Sequence, residues 1–150
     1  MAAEQKSFPA QPVLIVDDDQ ESLFALFVTL RSAGITNLRT VSDSASVPQM
    51  LANERFSLVL LDFNMPGLPD HAVLQKTAQL EGRPPVVIVT GSSRPRDLAQ
   101  GSWDEVVDCL VKPVDRDRLV RVVRTALAGG RILHRPPRKR RLSSQKEAET

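Results

Sequence analysis

Three features of this 150-residue chain predict an α/β fold built on a parallel sheet. Short runs that are apolar at every position alternate with segments of helical periodicity, as strands covered on both faces alternate with their crossover helices. Several of those runs end abruptly in an aspartate, a threonine or a lysine. Right-handed crossovers place helices on both faces and bring every strand's carboxyl end to one edge, where ligands of open α/β sheets bind.

Residues 1–10 are small and polar and end near Pro9, which reads as a flexible leader. Val13, Leu14, Ile15 and Val16 form the first strand, apolar throughout and therefore interior, and it runs into Asp17, Asp18 and Asp19. Leu23, Phe24, Phe27 and Leu30 then recur at helical spacing, with an aspartate before them as cap and Gly34 after them. The second strand spans Leu38 to Val41. Val47, Met50 and Leu51 mark a helix that Pro48 can join only in its first turn.

The third strand is Leu58-Val59-Leu60-Leu61-Asp62, followed at once by Met65-Pro66-Gly67. An aspartate here could merely cap the next turn, but at the carboxyl end of a buried strand it is also a candidate nucleophile or metal ligand. A helix from near Pro69 to Gly82 carries Val73, Leu74 and Thr77 on one face. Val86, Val87, Ile88 and Val89 make the fourth strand, ending at Thr90. A fourth helix within 95–105 is weakly patterned because Gly101 interrupts it, and Trp103 at its end reads as packing against the sheet. Val106, Val107, Leu110 and Val111 suggest the fifth strand, stopped by Lys112-Pro113. The last helix has Leu119, Val122, Val123, Ala126 and Leu127 on one stripe, Asp115 as its cap, and Gly129-Gly130 at its end.

An apolar content of 41% over this length supports one domain with a substantial core. We expect a flexible leader over residues 1–10, the folded domain over 11–128, and a basic, disordered tail over 129–150. No apolar run is long enough to span a membrane and no secretory signal is visible, so a cytoplasmic location is expected. One cysteine, Cys109, rules out an internal disulfide and a cysteine-based zinc site. The net charge of +2 averages unlike parts: residues 129–141 hold six Arg/Lys and no acid, leaving −3 over residues 1–130.

The shared strand edge would gather Asp17, Asp18, Asp62, Thr90 and Lys112, each at or beside the end of a different apolar run. Carboxylates within about 4–5 Å of one another repel by several kcal/mol at an effective dielectric near 20. Something must neutralise them, and a hard divalent cation that takes oxygen ligands and keeps water fits Mg²⁺. Metal, ammonium and hydroxyl directed at one aspartate are what the oxygens of an incoming phosphoryl group need.

Taken together, Val16-Asp17-Asp18, Leu61-Asp62 with Met65-Pro66-Gly67, Val89-Thr90 and Leu110-Val111-Lys112-Pro113 closely resemble the receiver domain of two-component response regulators, over roughly residues 11–128. That resemblance implies a flavodoxin-like sheet of strand order 2-1-3-4-5. It also implies that Asp62 accepts a phosphoryl group from a histidine kinase or histidine phosphotransfer protein. Asp18 would bind Mg²⁺ directly, Asp17 through water, and the Asn64 backbone carbonyl would complete the protein ligands with Asp62. Thr90 and Lys112 would contact the phosphoryl group, and the Lys112-Pro113 bond would be cis. No enzymatic activity is implied beyond autocatalytic phosphorylation and dephosphorylation, and no separate output domain is expected.

Departures from the family pattern matter as well. The aromatic residue usual three positions before the lysine is Cys109 here, which suggests signalling through Thr90 and the loop after it, with Cys109 a small buried residue. Ser92 and Asn64 occupy positions that tune dephosphorylation in the family. His71 reads as a surface residue rather than a relay. The basic run from Arg131 to Arg141 would allow nucleic-acid contact through the tail alone. Two other readings stand beside the receiver: a Mg²⁺-dependent phosphatase with an aspartate nucleophile, opposed by the order of the motifs, and an unphosphorylated scaffold of the same fold with a nucleic-acid-binding tail. The downstream protein target and the oligomeric state are not encoded in any motif.

Overall fold

A computed structural model describes residues 7–62, 77, 79–80, 82–91 and 106–129. Five parallel strands, β1 (Val13–Val16), β2 (Leu38–Val41), β3 (Leu58–Asp62), β4 (Val86–Thr90) and β5 (Val106–Val111), form one sheet in the order β2-β1-β3-β4-β5. The α-helices described from end to end are α1 (Gln20–Ser32), α2 (Val47–Asn53) and α3 (Arg116–Leu127), and a 3-10 turn, Ser44–Ser46, leads into α2. Most of the helix anticipated near 69–82, with His71, and all of that within 95–105, with Trp103, lie outside the described residues, as does the tail beyond Gly129; of the former, Thr77 is helical and fully buried and Gly82 takes φ +68°.

Strand alternation divides the core in two. On one face Val13, Ile15, Leu58, Leu60, Val87 and Val89 pack against Leu23, Leu26 and Leu30 of α1 and Leu119, Val122, Val123 and Ala126 of α3. On the other, Leu14, Val16, Val59, Leu61, Val86 and Ile88 meet Val47 and Leu51 of α2. All positions of β1, β3 and β4 are buried, which is why each reads as an unbroken apolar run. Among the described residues no helix is long and apolar enough to cross a membrane.

The ends of the helices follow their sequence signals. Asp19 caps α1 by accepting from the Glu21 N–H, and Asp115 caps α3 by accepting from the Arg118 N–H at 2.9 Å. Pro48 sits in the first turn of α2. Gly34 takes φ +94° just past α1, a conformation that side chains with a Cβ rarely adopt.

Two expectations need correction. Phe24 does not belong to the buried stripe of α1; it is 68% exposed, and Leu26 lies in the core instead. Leu23, Leu26 and Leu30 share the face toward the sheet, and Phe24 is rotated about 100° from Leu23. The flexible leader expected over residues 1–10 is also tied to the domain at Phe8 to Ala10. Pro9 is buried, the Phe8 carbonyl accepts from the Thr36 and Asn37 N–H groups at 2.8 and 2.9 Å, and the Asn37 side-chain amide donates to the Pro9 carbonyl at 2.9 Å.

β5 carries an irregularity opposite Val86 and Val87: Val86 pairs with Val106 but Val87 with Asp108. Val107 and Leu110, three residues apart, consequently pack on the same side of the sheet. The buried Asp108 carboxylate is met there by Arg118 of α3, 3.1 Å away.

Candidate functional site

Strand register builds the site. Val16 pairs with Leu61, so the next residues, Asp17 and Asp62, leave adjacent strands at the same level. Asp62 pairs in turn with Val89, and Thr90 with Val111, which brings Thr90 and Lys112 to the same edge one and two strands further on. The Lys112 N–H closes the β4–β5 ladder by donating to the Thr90 carbonyl at 2.8 Å. The Lys112–Pro113 peptide is cis, as the resemblance implied.

Side chains converge as that edge predicts. Carboxylate oxygens of Asp17, Asp18 and Asp62 all lie within 4.8 Å of one another. Asp17 and Asp62 are buried and Asp18 is exposed, so the cluster has a dry floor and a wet mouth. The Lys112 ammonium reaches in from the third element, 3.0 Å from Asp17 Oδ2 and 3.7 Å from Asp62 Oδ2. Thr90 is fully buried beside them. Asn64 and Ser92 lie outside the described residues.

Asp17 is held by several bonds. Its Oδ1 accepts from the Asp19 N–H at 3.0 Å and its Oδ2 from the Ser22 hydroxyl at 2.7 Å. Burial alone would push this carboxyl up. The Ser22 hydroxyl, the Asp19 N–H and the Lys112 ammonium outweigh that and hold it below its ordinary value, so it stays ionised. Ser22 was not foreseen from the sequence. Its only signal was a hydroxyl placed one helical turn after the acidic triplet, which by itself is indistinguishable from an ordinary first-turn serine.

Cys109 is half-buried on β5 against the α2-side core rather than fully enclosed. Loss of solvation, with a smaller push from the neighbouring Asp108 charge, raises its thiol to about 12. It is a packing residue with a protonated sulfur at neutral pH.

Three carboxylates facing one lysine leave an excess of negative charge around oxygen donors. That donor set fits a hard divalent cation, with Asp18 at the solvent side able to exchange water. Metal and ammonium together would offer positive charge to a tetrahedral anion at Asp62.

A flavodoxin-like sheet whose carboxyl edge carries an acidic cluster and one lysine defines a class of domain suited to a carboxylate-centred phosphoryl site. A family model described as the response regulator receiver domain matches residues 13–124, and the chain belongs to that family. It is 33% identical over 119 residues to the protein PilH of Pseudomonas aeruginosa, covering 78% of this chain and 98% of PilH. It is also 33% identical over 120 residues to the C4-dicarboxylate transport transcriptional regulatory protein DctD of Rhizobium meliloti, covering 78% of this chain but 25% of that regulator. Among solved structures, a response regulator receiver protein from Burkholderia phymatum is 28% identical with a TM-score of 0.68, over 79% of this chain and 95% of that one. TrrA of Thermotoga maritima, solved in complex with Mg²⁺ and BeF, shares the fold at 22% identity and a TM-score of 0.68, over 77% of this chain and 98% of that one.

Proposed function

We propose that Asp62 is the phosphoacceptor of this receiver domain and that the group arrives from a phosphohistidine on a histidine kinase or a histidine phosphotransfer protein. The convergence of Asp17, Asp18 and Asp62 with Lys112 carries the reading. An Asp62 carboxylate oxygen forms a bond to phosphorus while the P–N bond to imidazole breaks, and the imidazole nitrogen keeps the electron pair and takes a proton. Asp18, Asp62 and the Asn64 carbonyl, with Asp17 through water, would hold Mg²⁺, which would supply charge neutralisation for the phosphoryl oxygens. Lys112 exchanges part of its contact with Asp17 for a phosphoryl oxygen, and the Thr90 hydroxyl donates to another. The Ser22 hydroxyl and the Asp19 N–H keep Asp17 in place during that exchange.

Under this reading, residues 11–128 are the signalling unit, flanked by the leader and by the basic tail, and the output is a change in affinity for a cytoplasmic protein partner. Ser92 and Asn64 set the lifetime of the acyl phosphate. That TrrA, which shares the fold, was solved with Mg²⁺ and BeF supports the choice of metal.

Incubation with Mg²⁺ and acetyl phosphate, followed by intact mass, tests the proposal. Wild-type protein should gain one phosphoryl group, and Asp62→Asn should gain none. An unmodified wild type would favour a scaffold, and sustained turnover of a small phosphomonoester would favour a phosphatase.

A further inference from the structure

Charge along this chain breaks sharply at one point. Residues 1–115 hold nine Lys/Arg against fifteen Asp/Glu, whereas residues 116–141 hold ten against one. The break falls at the first residue of α3, so the basic stretch begins on a folded helix and not in the tail.

Of the four arginines on α3, Arg118 is committed to the buried Asp108. Arg116, Arg121 and Arg124 are exposed, and with Val120, Thr125 and Ala33 at the end of α1 they line a shallow groove of about 510 Å³. The acid in the groove, Asp117, stands 3.5 Å from Arg116 with both side chains mostly in water, a pair that holds neither strongly. Arg124 spends one of its N–H donors on the Ala33 carbonyl at 2.6 Å and has four more.

We propose that this face of α3 is a docking surface for the phosphate backbone of a nucleic acid, independent of the phosphoacceptor edge. Nine of the ten cations in residues 116–141 are arginine, whose planar fork matches phosphate oxygens two at a time. Arg116 to Arg124 covers about 12 Å of helix axis, the axial length of about three to four nucleotides of one strand. A lipid surface fits less well, because an interfacial helix must present an apolar face and that of α3 is buried in the core. A protein partner fits less well too. The exposed large apolar residues among those described are Phe8, Phe24, Val28 and Val111, and none of them lies on α3 to anchor a dry interface.

Fluorescence anisotropy of a labelled random-sequence duplex, titrated with the full chain at about 50 and 200 mM salt, tests this. Wild type should bind with a steep salt dependence. Arg116→Gln/Arg121→Gln, which leaves the tail intact, should weaken binding and lower the slope of log affinity against log salt by about 0.9 per arginine removed. Arg116→Lys/Arg121→Lys should keep most of both, and thermal unfolding checks that each variant is folded. Asp62→Asn should bind like wild type, which separates this surface from the phosphoacceptor reading. Absence of binding at low salt, an unchanged slope in the glutamine variant, or capture by phosphatidylserine vesicles without duplex binding would each overturn the proposal.

Discussion

Replacing Lys112 with Met tests how the acidic cluster is balanced. The ammonium lies 3.0 Å from Asp17 Oδ2 and 3.7 Å from Asp62 Oδ2. At an effective dielectric near 20 each contact has a gross attraction of roughly 5 kcal/mol. Most of that is offset by the desolvation of Asp17, whose side chain is fully buried, and Lys112 itself is 27% exposed and partly screened. Leaving a buried carboxylate unpaired costs about 3–5 kcal/mol, which the exposure of the lysine reduces to about 2–4. Lys112→Met should therefore lower metal-free stability by that amount in urea unfolding. It should also tighten divalent-cation binding about five- to thirtyfold, since the cation meets one more uncompensated charge. Saturating Mg²⁺ should then close part of the stability gap, because a ligand that binds only the folded state adds to its stability. Adding Asp62→Asn to Lys112→Met should recover about 1–2 kcal/mol of the metal-free loss. Weaker cation binding in Lys112→Met, or a metal-free stability equal to wild type, would refute the electrostatic account of the site.

Ser22→Ala removes the 2.7 Å bond to Asp17 Oδ2 and should cost about 1–2 kcal/mol. Because the folded Asp17 carboxyl lies below its unfolded value of 3.8, its contribution is present above that pH and lost as pH falls through the folded value. The variant should carry less of it, read as a smaller acid-dependent loss in thermal unfolding against pH. Cys109 has the opposite sign: its stabilising contribution is complete below about 9 and lost as pH rises from there towards about 12. Iodoacetamide at pH 8 should accordingly label it far more slowly in native protein than in urea, and equal rates would contradict the burial argument. Leu30→Ala, at a position with no exposure, should cost about 2–5 kcal/mol. Phe24→Ser, on the solvent side of the same helix, should stay within about 0.5 kcal/mol, as checked by urea midpoints.

Much of this architecture is visible in the sequence because interior parallel strands leave so little choice. Val13 to Val16, Leu58 to Leu61 and Val86 to Val89 are apolar on both faces, and the residue that ends each run marks the sheet edge. Two adjacent strands in register then suffice to bring Asp17 beside Asp62 across 45 residues of chain. Helix faces are less determinate. In α1 the sequence offers apolar residues at 23, 24, 26, 27, 28 and 30, more than one stripe can bury, and only the packing on the sheet selects Leu26 over Phe24. Ser22 and Asp108 were illegible for a different reason. Their roles depend on where a single side chain points: one on the turn that carries Asp17 into α1, the other on an irregularity in β5 that no local propensity encodes.

The same irregularity bears on how a change at Asp62 could travel. Cys109 is a short side chain packed against the α2-side core, with no ring that could swing between a buried and an exposed position. What remains continuous is the backbone. Asp62 pairs with Val89, the Thr90 carbonyl accepts from the Lys112 N–H, and β5 leads through Asp108 to Arg118 on α3. A shift of Lys112 toward a phosphoryl oxygen would pull on the ends of β4 and β5 together, because its N–H to the Thr90 carbonyl continues the ladder that joins them. Coupling through a strand pair needs no rotating side chain; it needs a lysine with two sets of acceptors to choose between, and Asp17 and Asp62 provide the first of them.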